Sequence, residues 1–211
     1  MENLELKRQV FHGTLGVILV ALLHYGILDW FGKIIPLEFL SVSARPLLIM
    51  ILIGLVLIAL SRRHKVPFIY WLLITFERPK EIRVFPGKGA FFAILGMLIV
   101  VVLFSPPIAM ASILILSLGD SISHLAGEKI GRTRHPLSKD KFLEGHIIGA
   151  LAGAAGAALF VPPLWALIAA LIAMLIEGID IDSKFATLAD DNLVVPITAG
   201  LVLFIINSLV G

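Results

Sequence analysis

Apolar residues in this chain come in blocks about as long as an α-helix must be to cross a bilayer, and no other feature constrains the fold as much. A spanning helix takes about 20 mostly apolar residues, fewer where flanking side chains can snorkel. Seven segments fit: Val10–Leu28, Pro46–Leu60, Ala90–Phe104, Pro107–Gly127, Phe142–Val161, Pro163–Glu177 and Leu193–Val210. Pro46, Pro107 and Pro163 suit first helical turns, where a missing N–H costs nothing. The stretch Pro67–Phe76 is apolar but too short to span, and basic residues flank it, so it reads as an interfacial helix. A chain of 211 residues that is 59% hydrophobic and 15% charged, with a mean hydropathy of +1.01, carries more apolar surface than a soluble domain of that length buries. No A-x-A cleavage pattern follows the first block, which therefore reads as a span and not a removable signal. The expected fold is all-α: one polytopic membrane domain over residues 1–211, without disulfides or thiolate metal sites because there is no cysteine.

Charge sets the expected orientation. With the N-terminus inside, the cytoplasmic segments hold Lys7, Arg8, seven basic residues from Arg62 to Lys88, five from Lys129 to Lys141, and Lys184, which is fifteen of the seventeen. Only Lys33 and Arg45 fall outside, so the chain obeys the positive-inside rule and its C-terminus is expected outside. The same loops account for the sequence pI of about 9.0, and no nucleic-acid partner is expected.

The acidic residues carry the functional signal. Nine of the fifteen lie from Asp120 onward, at Asp120, Glu128, Asp140, Glu144, Glu177, Asp180, Asp182, Asp190 and Asp191. All nine fall on the cytoplasmic side of the seven-span arrangement, a preference that loop solvation alone would not produce. Asp120 still lies within the fourth segment, where a carboxylate costs a few kcal/mol or more and is usually paired or functional. Helical spacing places Ser117, Asp120, Ser121, His124 and Glu128 on one stripe, directed at the bundle interior or a wet cavity. The alternative is a structural polar seam. The following loop, Gly127 to Gly145, mixes glycines with Lys129, Arg132, Arg134, Lys139 and Lys141. That composition suits a polyphosphate: basic side chains bind its oxygens, glycines let backbone N–H groups approach, and carboxylates hold Mg²⁺. A basic loop lying on an anionic membrane is the competing reading. No P-loop pattern occurs.

Gly145, Gly149 and Gly153 form a small-residue face for close helix packing, which would draw Glu144 toward the fourth segment. Asp190, Asp191 and Asn192 open the last segment; one of them is explained by capping, and three beside the same cluster favour metal or nucleotide contact. Arg8 and His12, one turn apart, could reach a phosphate, although a snorkelling arginine and a packed histidine explain them as well.

Gly119-Asp120-Ser121 with Gly127 and Gly131, then Lys141-x-x-Glu144-Gly145, then Asp191-Asn192-x-x-x-Pro196, resemble the CTP-dependent membrane lipid kinases. That group includes dolichol and polyprenol kinases, phytol kinases and fungal-type diacylglycerol kinases, and is related to the phosphatidate cytidylyltransferases. The resemblance extends more weakly to Glu5-x-x-Arg8-x-x-x-His12, to Phe76-Glu77-Arg78 and to Pro86-Gly87-x-Gly89, and so touches most of the chain. It implies a nucleotide–Mg²⁺ site built mainly from residues 117–145 and 177–196. Asp120, Glu144 and Lys141 would be catalytic, and Asp120, Glu144 and Asp191 the metal ligands. Gly119, Ser121, Gly127, Gly131, Arg132, Lys139 and Asn192 would contact CTP. Where the family often has Lys-Lys-Thr or Lys-Ser before Glu-Gly, this chain has Asp140-Lys141-Phe142, which removes a hydroxyl and leaves Lys139 to substitute for a lysine.

The expected function is transfer of the CTP terminal phosphate to the hydroxyl of a membrane lipid alcohol, at the cytoplasmic face. A cytidylyltransferase making a CDP-lipid is the nearest alternative. It usually carries a Pro-Gly-His-Gly-Gly run, which does not occur here. An ion-coupled transporter would place its polar residues at the midplane instead of one face. The topology is open to direct test. Single cysteines placed between Ser61 and Lys88, or between Lys129 and Lys141, should react with an impermeant maleimide only from the cytoplasm, and cysteines at Pro106 and Pro162 only from outside. Equal labelling of both sets from one side defeats the seven-span arrangement.

Overall fold

The computed structural model describes residues 2–63, 66–136, 138, 141–179 and 190–210. It contains α1 (Glu2–His24), α2 (Ile27–Gly32), α3 (Ala44–Arg63), α4 (Pro67–Phe76), α5 (Pro79–Val84), α6 (Lys88–Leu103), α7 (Pro106–Leu114), a π-helical segment (Ile115–Asp120), α8 (Ser121–Ile130), α9 (Leu143–Ala157), α10 (Pro163–Glu177) and α11 (Asp191–Val210). Among the described residues the only β pairing is an isolated bridge between Arg134 and Phe142. Prolines stand in the first turn of α4, α5, α7 and α10, where the ring's fixed φ fits the helix and no hydrogen bond is lost. Gly87, at φ 79°, makes the tight turn into α6 in a left-handed conformation that favours glycine.

Four helices are long and apolar enough to cross a membrane: Leu4–His24, Ala44–Ser61, Pro106–Ile130 and Asp191–Val210. Three shorter apolar helices, Pro67–Phe76, Lys88–Leu103 and Pro163–Glu177, accompany them. The first apolar segment is not one rod: Gly26, at φ 68°, separates α1 from α2. The long helices play different parts. The column Pro106–Ile130 is 78% buried within the protein, whereas the windows in α1, α3 and α11 are only 28%, 22% and 28% buried. Their outward faces carry Val10, Val17, Ile53, Val56, Phe204 and Ile205 exposed. Apolar surface on that scale calls for an apolar surrounding.

Around the column, α9, α10, α11, α6 and α3 follow in successive contact, and α1 packs on the column's other side. The closest approach is between α9 and the column. A Cβ built on Gly149 would stand 2.5 Å from the Gly119 carbonyl oxygen, and one on Gly145 2.5 Å from that of Ser123. The small-residue face expected from sequence is therefore a backbone-to-backbone contact. Alanines 166, 169, 170 and 173 of α10 are fully buried and continue this thin packing.

The column is not a regular α-helix. Residues 115–120 are π-helical, with i→i+5 hydrogen bonding that admits an extra residue in a widened turn. The stripe expected from α-helical spacing is accordingly divided. Ser117 and Ser121 are buried against α1, where Cβ atoms on Gly16 and Gly13 would meet them. Asp120, His124 and Glu128 instead face a cavity. The Gly149 contact carries a prediction. Gly149→Leu should destabilise the protein by about 1–3 kcal/mol or more, because the obstructing atoms are backbone, and should lower its melting temperature in detergent; an unchanged melting curve would refute the contact.

Candidate functional site

A cavity of about 900 Å³ lies among α1, α3, α4, α6 and α8, and its two halves differ in chemistry. One half is lined by apolar side chains such as Leu15, Ile18, Leu19 and Leu22 of α1, Leu47, Met50 and Ile51 of α3, and Met97 of α6. The other is lined by Arg8, His12, Asp120, His124, Lys141, Glu177 and Asp191.

The polar half is built around two buried carboxylates. Asp120, at the end of the π segment, lies between two imidazoles: Oδ1 is 3.4 Å from His124 Nε2 and Oδ2 is 3.8 Å from His12 Nε2. Ser123 Oγ donates to the Asp120 carbonyl at 3.0 Å. Glu177 closes α10 with its side chain 1% exposed. Its Oε1 accepts from Lys141 Nζ at 2.8 Å, and Oε2 lies 3.4 Å from His146 Nε2 without a hydrogen bond. The Lys141 ammonium also donates to the Glu177 carbonyl at 2.6 Å and to Asp191 Oδ2 at 2.9 Å. Burial disfavours the charged ammonium, but the Glu177 and Asp191 carboxylates outweigh it and hold the Lys141 pKa above its ordinary value. Its folded pKa being raised, the stabilisation is complete below the unfolded value of about 10.4 and is lost as pH rises through the folded one.

A basic group continues the polar wall. Arg78 Nη2 donates to Glu5 Oε2 at 3.1 Å, and Arg8 Nη1 lies 3.7 Å from the same oxygen. Lys88 pairs with Asp190 at 3.2 Å. Glu77 accepts from the Gly87 N–H at 2.9 Å; burial raises its pKa, and this hydrogen bond opposes the rise only in part.

Asp120, His124 and Glu177 can each bring one ligand atom to within 4.8 Å of the other two. The unbonded Glu177 Oε2 gives that set a free acceptor. Two carboxylates suit Mg²⁺, which takes one or two from a protein and completes its shell with phosphate oxygens and water.

The expected site residues divide into two groups. Asp120, Lys141 and Asp191 meet in the cluster, and Asn192 and Gly127 line the same cavity. Asn192 Nδ2 donates to Asp190 Oδ1 at 2.8 Å. Glu144 is not brought to the cluster: its carboxylate accepts from the backbone N–H groups of Arg132 at 3.2 Å and Thr133 at 3.0 Å. Placed in the first turn of α9, it holds the Arg132–Thr133 backbone, and Glu177 stands beside Asp120 and His124 among the groups that could hold a metal ion. Gly119 packs on Gly149 and Met174, Ser121 lies against Gly13, and Gly131 against the Phe142 ring. None of these three lines the cavity, nor does Arg132. Lys139 lies outside the described residues. The cluster residues that sequence reasoning left unassigned are Glu177, His12, His124 and His146. The available signal for Glu177 was a lone acid ending an otherwise apolar helix.

No family model, curated protein or solved structure matches the chain.

The cluster predicts its own dependence on Lys141. Lys141→Met leaves Glu177 and Asp191 uncompensated and should cost about 3 kcal/mol, toward the low end for a broken buried pair because the Asp191 side chain is 42% exposed. Adding Glu177→Gln should restore much of that loss. Strictly additive effects in a double-mutant cycle of thermal stability would mean that the pair does not form.

Proposed function

We propose that the protein is a CTP-dependent kinase of a membrane lipid alcohol, a dolichol- or polyprenol-like, prenol or diradylglycerol substrate, acting at the cytoplasmic face of a cell membrane. One observation carries this reading: a single cavity joins an apolar groove to a buried cluster of carboxylates, imidazoles and a lysine. That polarity matches a substrate with one reactive hydroxyl on an apolar tail. The resemblance of the Gly119–Ser121, Lys141–Gly145 and Asp191–Pro196 segments to the CTP-dependent lipid kinases supplies the nucleotide. Seven crossings complete the reading, with the basic loops 62–88 and 129–141 in the cytoplasm beside the nucleotide pool.

In the transfer, the lipid oxygen bonds to the γ-phosphorus as the bond from that phosphorus to the β,γ-bridging oxygen breaks, and CDP leaves. Such a reaction depends mostly on positioning and on neutralising charge. Lys141 and Arg8 face the phosphates and offset their charge. Asp120 and Glu177 would hold Mg²⁺, which would neutralise further phosphate charge. The His12–Asp120–His124 group lies where the groove meets the polar half, and it takes the proton that the hydroxyl releases. Glu144 holds the Arg132–Thr133 backbone of the segment that leads to Lys141.

Purified protein given CTP and lipid alcohol in detergent should transfer label from the γ-phosphate to the lipid and none from the α-phosphate. Label from the α-phosphate, with pyrophosphate released, would make it a cytidylyltransferase; label from neither would reject both. Asp120→Asn and Glu177→Gln should each lower turnover by about 100-fold or more at saturating Mg²⁺. Glu144→Gln should cost less, because the amide retains an acceptor for the loop N–H groups.

A further inference from the structure

The cavity that ends at Asp120 reaches the surface in two directions. On the polar side it extends to Glu128, which is exposed. On the apolar side it opens between two helices. Leu15 and Ile18 of α1 and Met50 of α3 line the cavity, yet they are 44%, 48% and 44% exposed. Lining the cavity while this exposed fits a wall that is thin or open between the two helices. The packing fits such an opening: α3 is held by α6, α2 and α4, and α1 by the central column, α4 and α2, while among the described residues α1 and α3 make at most marginal contact with each other. Between them remains a slot, bounded by α4 at the polar end and α2 at the other. Gly54 of α3 lines it, and a Cβ there would meet nothing within 4 Å. From His12 to Leu22 the lined stretch of α1 rises about 15 Å at 1.5 Å per residue, roughly half the hydrocarbon thickness of a bilayer.

We infer that the slot between α1 and α3 is a lateral portal for the lipid tail. The inference rests on the lipid-alcohol reading above and extends it to a path and a specificity rule. The lipid enters from the bilayer with its hydroxyl leading toward Asp120. The first ~15 Å of its tail lies between Leu15, Ile18 and Met50, and the rest stays among the surrounding lipid chains. The nucleotide uses the polar opening, so the two substrates do not share a route. Selection acts on the tail segment next to the hydroxyl and is indifferent to length beyond the slot.

Two measurements test this. In liposomes, a long polyprenol bearing a diazirine near its hydroxyl should, on irradiation, form adducts at Leu15, Ile18 or Met50. Adducts confined to the outward residues Val56 and Phe204, or absent, would overturn the portal. This readout needs no turnover, so it stands or falls separately from the kinase assignment. In the activity assay, Gly54→Trp should reduce phosphorylation of the long polyprenol at least tenfold while leaving the short alcohol geraniol a substrate. Val56→Trp, which adds the same bulk on the outer face, should behave as the unsubstituted protein does. Equal activity of Gly54→Trp on the long polyprenol, or equal loss on both alcohols, would also count against the portal.

Discussion

A carboxylate buried among apolar helices loses most of its hydration, and the elements around Asp120 and Glu177 meet that cost with charged and imidazole partners. The partners come from separate parts of the chain: His12 from α1, His124 from α8, Lys141 from the loop before α9, and His146 from α9 itself. Asp191 adds α11 to the same cluster through Lys141. Buried ion pairs of this kind are poor net stabilisers, since desolvation offsets much of the attraction. An apolar replacement of equal volume would serve the fold as well. Their presence therefore asks for a reason beyond stability, and the proposed kinase chemistry would give one for Asp120, Glu177 and Lys141.

The cluster can form only because the helices approach so closely. Where Gly149 meets Gly119 and Gly145 meets Ser123, backbone touches backbone, and the buried alanines of α10 hold that helix near α9. This thin packing brings Glu177 within reach of Asp120, although neither belongs to α9. Substitutions that thicken the contact act on the site without touching any ligand. The glycine-rich character of α9 and the geometry of the cluster are thus one feature seen from two sides.

Much of this was legible in the sequence because polar residues stand out against apolar blocks. Asp120, Lys141 and Asp191 could be singled out that way, and helix α4 begins and ends where its composition indicates, at Pro67 and Phe76. Glu177 was harder to place. Its partners lie on other helices, and only packing brings them together. Glu144 misled for the opposite reason: it adjoins Gly145 in a site-like run, but the first turn of α9 directs it to the 132–133 backbone. Gly119 and Ser121 were expected to touch nucleotide because they flank Asp120 in the lipid-kinase-like motif, and close helix packing uses the same two residue types. Asp140, Asp180, Asp182 and Lys184 lie outside the described residues.

The π segment has a consequence for how such a chain can change. An extra residue within a helix is the product of a one-residue insertion, and losing one residue between Ile115 and Asp120 would let the column return to ordinary α-helix. The hydrophobic length of the column would barely alter, since a residue contributes only about 1.5 Å. Because the widened turn absorbs the extra residue, the helix beyond would keep the face it presents, while side chains within the segment would re-phase, shifting Ser117 relative to Gly16 and Asp120 within the cavity. In lineages of such chains, a single-codon deletion at this place would yield a protein that inserts and folds with its buried polar side chains re-aimed.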